Sequence, residues 1–554
     1  MSVVAQLVPI TSKPFAQKRW MNACALGLIA LGIFTRLRIY LADRSMWRDE
    51  AALALNVMHR SAGGLFGALD YNQGAPVGFL MFQKLLTSLL GSGEIAFRLW
   101  PTTASILAVP LFYLLCRELL SPRAAIIALA ILSLSTDVSF YWTEAKQYST
   151  DVLISICLLL IAARSFRRDE NNLPVSMASL SAAGILAVWF SQPSLFVLGG
   201  ILLAMIVQWL RLISFQYLKR AGVLALAWGI AFALVYFLNL RDLSNNQYLH
   251  WFWGVKMDAF APLPTSIAAL RWYHRSVLEL FRFLCSDYLE ILGALMCFVG
   301  AWSLWKVRKT IAVMLLAPGA LAMIASGMRM YPFGLRLALF LDPMLIIMIA
   351  AGIEYLWQRG ITVLAIPILI LLMVFPVSST AINLKSPQIR CDMRDAVAFA
   401  AAHRAPGDVF YIFPTAQYDF LYYQPRFGLD GIQVYVGTRK EASAQYYAHE
   451  LRELNGKRAW VIYEDAFNGD PSLEPLFAVQ QPVVLDILDA MGPCLWKAKP
   501  FNEYVACYDL TRRPVSMNSP EGANDEPVIF ADHDSRGDVS QSGVRLADVS
   551  VQQQ

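Results

Sequence analysis

The chain has 554 residues, of which 57% are hydrophobic and only 16% are charged. A soluble protein of this length would carry roughly a quarter charged residues, so the composition excludes an ordinary soluble enzyme. Repeated apolar runs of about 20 residues predict instead a polytopic α-helical membrane protein. The net charge is only +5, and the basic residues stand in short blocks between the apolar runs. No nucleic-acid partner is therefore expected.

The first apolar run, 20–41, follows Lys18 and Arg19. It is too long for a signal-peptide core, so it predicts an uncleaved first transmembrane helix with a cytoplasmic N-terminus. Ten more spans are predicted at 98–116, 124–141, 149–163, 174–190, 194–210, 221–240, 286–305, 311–327, 338–357 and 361–380. Every second connection is rich in Lys and Arg, as the positive-inside rule requires. An odd count of about eleven spans places the C-terminal third on the extracytoplasmic side.

The sequence predicts a membrane domain over 1–381, with long outer loops at 42–93 and 241–285. In the first loop, 51–59 and 77–90 have the pattern of interfacial helices. From 382 to 514 helical and strand patterns alternate, and a hairpin at 494–497 and 504–508 completes a soluble α/β domain. Residues 515–554 are polar and acidic, and they are expected to be disordered.

The eight cysteines show neither CxxC spacing nor a Cys/His cluster. Five lie in or beside apolar segments and are expected to be small core residues. If the C-terminal domain is extracytoplasmic, Cys494 and Cys507 would be able to pair across the predicted hairpin. Free thiols are the alternative, and the sequence leaves both open.

Asp49 and Glu50 stand together just beyond the first predicted span. Ionisable groups near the membrane are costly to keep, so this acid pair is a functional-site hypothesis, and a solvated loop pair is the plain alternative. Two more outer segments carry charge, one with Glu144 and Lys146 and one with Arg336. A carboxylate can accept a proton from an acceptor hydroxyl, and Lys or Arg can stabilise the charge on a departing phosphate.

Each of these charges also has a structural explanation. Glu144 and Lys146 would form an ordinary loop ion pair, which contributes about 0–1 kcal/mol. Arg336 would extend its side chain to phospholipid headgroups. The residues alone do not decide between these structural explanations and a functional site.

Trp47-Arg48-Asp49-Glu50 after the first helix resembles the acidic first-loop motif of the GT-C membrane glycosyltransferases. Within these, the chain is more similar to the branch of dolichyl-phosphate-mannose–protein mannosyltransferases and bacterial aminoarabinose transferases of lipid A (glycosyltransferase family 39-like). The resemblance continues through Pro76, the stretch Glu94–Arg98, and Glu144-Ala145-Lys146-Gln147-Tyr148, where the family often has Glu-Ala-Arg-x-Tyr. It reaches Arg336, Pro343 and the Tyr422-Tyr423 pair, and so covers nearly the whole chain to about 510.

The resemblance implies transfer of a sugar from a polyprenyl-phosphate carrier to an extracytoplasmic acceptor, with inversion at the anomeric carbon. Asp49 would be the catalytic base or the acid that orients the substrate, and Glu50 would be its partner or a ligand to a divalent cation. Glu144 would be the second acid, although relatives often have Asp there. Lys146, Arg336 and Tyr148 would contact the carrier phosphate. Lys146 keeps the charge of the usual Arg but lacks its planar fork.

Some relatives bind a metal between the two long outer loops, so the resemblance leaves a divalent cation as one option. Asp70, His250 and His274 would be its ligands, with His59 nearby. A lone loop histidine is more often an ordinary polar residue.

The resemblance implies an integral protein of the bacterial inner membrane whose C-terminal domain is periplasmic. The donor would be a polyprenyl-phosphate sugar, and the acceptor a lipid such as lipid A, a polysaccharide or a protein. A flippase of lipid-linked glycans is the alternative, although a transporter would be expected to carry charges or broken helices in mid-span. A third reading, a scaffold with a membrane anchor, explains neither eleven spans nor the charged turns.

Overall fold

The computed structural model describes residues 15–135, 140–167, 173–213, 215–286, 288–437, 444–464 and 475–511. The predicted disordered tail, 515–554, lies outside these ranges. Two compact units are present: the first comprises Met1–Asp43 and Asn56–Gln388, and the second comprises Arg44–Leu55 and Ile389–Gln554. The acid-pair segment therefore belongs to the same unit as the C-terminal domain, whereas the sequence suggested a loop of the membrane domain.

Helices make up most of the described chain. They are α1 (Phe15–Tyr40), α2 (Arg48–His59), α3 (Val77–Leu90), α4 (Glu94–Leu119), α5 (Pro122–Leu134), α6 (Tyr148–Arg167), α7 (Leu173–Phe190), α8 (Ser194–Leu212), α9 (Phe215–Val235), α10 (Arg241–Ser244), α11 (Gln247–Trp251), α12 (Ile267–Cys285), α13 (Glu290–Val307), α14 (Lys309–Gly327), α15 (Asp342–Gln358), α16 (Thr362–Lys385), α17 (Met393–His403), α18 (Gln417–Tyr423), α19 (Ala444–Leu451) and α20 (Pro475–Met491).

A helix occupies each of the eleven positions where a span was predicted. Within the described residues, nine helices are long and apolar enough to cross a membrane, and α5 and α7 fall in a shorter class, at Pro122–Leu134 and Met177–Phe190. The predicted polytopic helical fold is thus confirmed, and the protein is an integral membrane protein.

The first unit contains a close helix–helix contact built on glycine. A Cβ atom added at Gly300 of α13 would lie 1.8 Å from the carbonyl oxygen of Met348 in α15, and one at Gly352 would lie 2.1 Å from that of Met296. Only glycine allows the two backbones to approach this closely, and small residues favour association of helices in a membrane. This contact fixes α15, at whose N-terminal side Arg336 lies.

A buried arginine connects the first helices of the unit. The Arg36 side chain donates to Ser105 Oγ at 2.8 Å and to the Gly32 carbonyl at 2.8 Å. Its guanidinium carbon lies 5.4 Å from the centroid of the Trp142 ring. These contacts satisfy a charge that would otherwise be costly inside a membrane protein. They also hold Trp142, at the start of the Glu144 turn, against α1 and α4.

Segment 241–285 is mostly helical, although the sequence suggested a long loop. It follows a π-helical stretch at Tyr236–Leu240 and contains α10, α11, a second π-helical stretch at Phe252–Lys256, and the 19-residue α12. The chain before α12 is joined to the loop that precedes α15, because the Phe333 amide donates to the Ala259 carbonyl at 2.8 Å. This segment therefore supports the loop that carries Arg336.

The second unit contains a five-stranded sheet of β1 (Val409–Ile412), β2 (Val434–Val436), β3 (Arg458–Glu464), β4 (Cys494–Ala498) and β5 (Glu503–Asp509), in the order β2-β1-β3-β5-β4. Strands β2, β1 and β3 are parallel, whereas β5 is antiparallel to β3 and β4. The predicted α/β alternation and the C-terminal hairpin are both confirmed. Helix α20 was not predicted.

An ion pair with further hydrogen bonds fixes the start of β3. The Asp408 carboxylate, whose side chain is 3% exposed, accepts from Arg458 Nε at 2.8 Å and Nη2 at 2.9 Å. It also accepts from Trp460 Nε1 at 2.8 Å. These charge-assisted bonds join the loop before β1 to its neighbour β3.

All eight cysteines are free thiols. In the hairpin, Cys494 is paired with Tyr508 and Cys507 with Trp496, and a register shift separates the two pairs. The two cysteines are thus not opposite each other. Of the two possibilities that the sequence left open, the structure has the free thiols.

Candidate functional site

The acid pair lies in the first turn of α2. The Trp47 amide donates to Glu50 Oε2 at 3.2 Å, which is the contact that an acid at the third helical position makes with the residue before the helix. Glu50 is 2% exposed, whereas Asp49 is only partly buried. Both acids complement the positive end of the helix dipole. The structure therefore gives Glu50 a capping role and leaves the Asp49 side chain accessible.

Contacts with the C-terminal domain hold this segment within the second unit. The Met46 amide donates to the Tyr423 hydroxyl at 2.7 Å, and the Ser45 hydroxyl donates to Asp392 Oδ1 at 3.1 Å. The guanidinium carbon of Arg390 lies 4.2 Å from the centroid of the Trp47 ring. Tyr423, which was noted in the sequence as part of a tyrosine pair, thus orients the backbone that leads into the acid pair.

In the first unit, a buried polar turn precedes α6. Glu144 is 1% exposed and Lys146 is 5% exposed. The turn is tight, because the Lys146 amide lies 2.6 Å from the Glu144 carbonyl that accepts its hydrogen bond. The Lys146 ammonium donates to Gln73 Oε1 at 2.6 Å. This contact brings the first outer loop to the turn, and Gln73 was not singled out in the sequence.

Arg336 lies near this turn. Its guanidinium carbon is 5.9 Å from the centroid of the Tyr148 ring, which begins α6. The preceding loop is fixed by Gly334, whose φ of +140° favours glycine, and by the Tyr331 hydroxyl, which donates to the Leu337 carbonyl at 2.9 Å. The structure therefore brings Lys146, Tyr148 and Arg336 into one region.

Two side-chain cations and a helix N-terminus meet in this region of the first unit. Tyr148 is the first residue of α6, and the amide groups of a helix N-terminus favour an anion. Arg336 can present two parallel donors to a phosphate, and Lys146 adds a point charge. The arrangement is suited to binding a phosphate group.

The predicted metal ligands do not form a ligand set. Both carboxylate oxygens of Asp70 are bound by Arg60, at 2.9 and 2.8 Å. A ring nitrogen of His250 lies 2.6 Å from the Ser244 carbonyl, and His274 is exposed on α12. His59, at the end of α2, is likewise outside any such group. The proposed role of these residues stays a prediction.

A different cluster in the second unit has the residue types of a metal site. Among the residues that the structure describes, one group of three His, Cys, Asp or Glu side chains has ligand atoms within 4.8 Å of one another: Cys391, Asp419 and Glu503. They are 2%, 0% and 0% exposed. Burial, followed by the charge of Glu464, raises the pKa of Asp419 well above its usual range. Sequence reasoning missed this cluster because its three residues are far apart in the chain. The local signal was Asp419, an acid between the aromatic residues of α18.

No protein-family model and no curated protein matches the sequence. Among solved structures, the chain is similar to ArnT from Cupriavidus metallidurans in the apo state, with a TM-score of 0.54 and 12% identity over 90% of this chain and 99% of that one. A second structure of the same protein, bound to undecaprenyl phosphate, gives a TM-score of 0.50 and 14% identity over 89% and 98% of the two chains.

The fold is also similar to the Archaeoglobus fulgidus oligosaccharyltransferase in complex with Zn and sulfate. Here the TM-score is 0.50 and the identity 11%, over 86% of this chain and 72% of that one. At these identities the likeness shows the fold. The chain shares the fold of these proteins and has a membrane-embedded helical unit and an α/β domain.

Proposed function

We propose that this protein is a membrane glycosyltransferase that moves a sugar from a polyprenyl-phosphate donor to an extracytoplasmic acceptor, with inversion at the anomeric carbon. The observation that carries the proposal is the grouping of Lys146, Tyr148 and Arg336 within a GT-C fold. A structure of that fold in another protein was determined with undecaprenyl phosphate bound, which supports a lipid-linked donor here.

The phosphate would be bound by this group. In sugar transfer the carrier phosphate is the leaving group, and negative charge grows on it as the glycosidic bond breaks. Lys146 and Arg336, whose side chains lie near the N-terminus of α6, would stabilise that charge. Tyr148 would orient the Arg336 guanidinium through its ring. Glu144 is the proposed second acid of the site.

Asp49 is the proposed base. It would accept the proton of the acceptor hydroxyl as the oxygen attacks the anomeric carbon. Its side chain is partly accessible, whereas the Glu50 carboxylate is buried and accepts a hydrogen bond from the Trp47 amide. This difference supports Asp49 over Glu50, and it makes the role of Glu50 positional.

Undecaprenyl phosphate is the sharpest probe, because its binding does not depend on which sugar is transferred. We expect Lys146→Gln and Arg336→Gln each to weaken its binding to the purified protein by about 10- to 100-fold, since a hydrogen bond to a charged group contributes about 1.5–3 kcal/mol. Native mass spectrometry at several lipid concentrations measures this. Arg271→Gln, which removes an exposed arginine on α12, is the matched control and should bind normally.

Transfer itself is tested with the lipid that co-purifies with the protein, once mass spectrometry has identified its head group. The purified protein in liposomes should move that sugar to an acceptor, and Asp49→Asn should abolish transfer while still binding undecaprenyl phosphate. Movement of labelled lipid across the vesicle membrane without any sugar transfer would reject the proposal in favour of a flippase. Unchanged lipid binding in both cation variants would reject the phosphate site.

A further inference from the structure

The cluster of Cys391, Asp419 and Glu503 lies entirely within the second unit and is not used by the proposed reaction. The three residues come from different elements: Cys391 precedes α17, Asp419 is on α18, and Glu503 begins β5. Their ligand atoms lie within 4.8 Å of one another. No local pattern brings them together, so the tertiary fold alone creates the group.

The Asp419 side chain supplies the second observation. Asp419 is 0% exposed, and neither carboxylate oxygen has a hydrogen-bond partner. Buried polar atoms are almost always satisfied, and a buried carboxylate left without a partner is especially costly. One of its oxygens is among the three ligand atoms that lie within 4.8 Å of one another. A cation at that point would satisfy both the charge and the missing contacts.

The surrounding charges also favour a cation. The carboxylates of Glu464, Asp49 and Glu50 act on Asp419, and the charge of Arg48 opposes them. A buried group with this excess of acids must be neutralised either by protons or by a metal ion. The presence of a thiol among the ligand atoms favours a metal.

We propose that Cys391, Asp419 and Glu503 bind one Zn²⁺ ion within the C-terminal domain, with a water molecule in the fourth position. Zinc takes thiolate and carboxylate ligands in tetrahedral sites, whereas magnesium and calcium prefer oxygen ligands alone. Tetrahedral bonds to sulfur and oxygen place ligand atoms roughly 3.3–3.8 Å apart. Ligand atoms that now lie up to 4.8 Å apart would therefore move together by about 1.5 Å at most around the ion.

This site is distinct from the proposed catalytic residues but lies in the unit that holds the acid pair. The Cys391 thiol is 3.4 Å from the Met46 carbonyl, and Tyr423, on the same helix as Asp419, accepts from the Met46 amide. The ion would thus join α18 and β5 to the backbone that leads into Asp49. Its role would be to hold that segment in place.

The test begins with the metal content of the full-length protein. After dialysis against Zn²⁺ and removal of the excess, we expect about one zinc per chain, and Co²⁺ in its place should give a thiolate-to-cobalt charge-transfer band. Cys391→Ser should remove the band. Cys507→Ser is the matched control, because Cys507 is a buried thiol on β5 outside the cluster, and it should retain both band and stoichiometry.

A second measurement remains informative if the variants fold poorly. Zinc at one hundred times its Kd should shift the unfolding equilibrium of the C-terminal domain, measured in the full-length wild-type protein, about a hundredfold toward the folded state. A strong chelator should reverse the shift. Asp419→Asn should remove this response, whereas Asp486→Asn, on the exposed side of α20, should keep it.

The proposal would be overturned if protons, and not a metal ion, neutralise the acids of the cluster. Neutralisation by protons predicts no bound zinc, no cobalt–thiolate band and no effect of chelator on the wild-type protein. It also predicts that Asp419→Asn is as stable as the wild type, since the amide mimics a protonated carboxyl group. Because none of these readouts uses sugar transfer, the zinc proposal can fail while the proposed function stands, and the reverse is also true.

Discussion

Asp49→Asn and Glu50→Gln form a matched pair that separates catalysis from helix capping. Each substitution removes one negative charge from the first turn of α2 and keeps the shape of the side chain. Gln at position 50 retains an oxygen that can accept from the Trp47 amide, the contact that measures 3.2 Å in the wild type. The two variants should therefore perturb the fold to a similar extent.

The magnitudes follow from these contacts. Loss of one acid beside a helix N-terminus costs about 0.3–1 kcal/mol, so both variants should show the same small drop in stability. Loss of a general base lowers the rate by about 10²- to 10⁴-fold. We expect Asp49→Asn to lower the rate of sugar transfer by this factor. We expect Glu50→Gln to lower it by less than about tenfold, because a capping residue positions the helix and does not accept the proton.

Thermal unfolding in detergent measures the loss of stability, and initial rates of transfer in liposomes measure the loss of activity. Glu50→Ala, which removes the capping oxygen as well, should lose about 0.5–2 kcal/mol of stability and should recover activity when assayed at lower temperature. The reasoning is refuted if Glu50→Gln loses as much activity as Asp49→Asn while its unfolding temperature is unchanged.

Three further predictions concern the fold. Gly300→Ala should destabilise the helical unit by about 1–3 kcal/mol or more in a thermal unfolding assay, because its Cβ would lie 1.8 Å from the Met348 carbonyl oxygen. Gly229→Ala is the control and should not change the stability, because the space around Gly229 is open. Asp408→Asn should cost about 1.5–3 kcal/mol, because the buried carboxylate accepts charge-assisted hydrogen bonds from Arg458, whose own side chain is 28% exposed. Denaturant unfolding that shows no loss of stability would contradict this. Burial raises the pKa of Glu279 above its usual range, although Arg275 and Arg282 oppose the shift. A carboxyl group whose pKa is higher in the folded state stabilises the fold most below its unfolded pKa, and this contribution is lost as the pH rises through the folded-state pKa. Glu279→Gln should therefore reduce the decline in unfolding temperature above pH 4.5. A variant with the same pH profile as the wild type would contradict this prediction.

Local sequence patterns predicted the α/β domain. Short apolar runs at 408–413, 432–436 and 458–463 predicted strands, and the helical patterns between them predicted βα-type alternation, which is typical of a parallel sheet. The observed order β2-β1-β3 with parallel pairing follows that expectation. The helix at 475–491 was missed because Pro482 inside it is a local signal against a helix. Contacts with the rest of the domain overcame that preference.

By itself, the sequence determined the membrane class, the positions of the long apolar helices and the residue types of the candidate site, because these depend on the length and period of apolar runs and on the charges between them. Only the tertiary structure decided which groups meet. It brought Lys146 to Gln73 and Arg336 to Tyr148. It also gathered Cys391, Asp419 and Glu503. These partners are set by packing between distant elements, and periodicity along one element carries no information about which other element it will face.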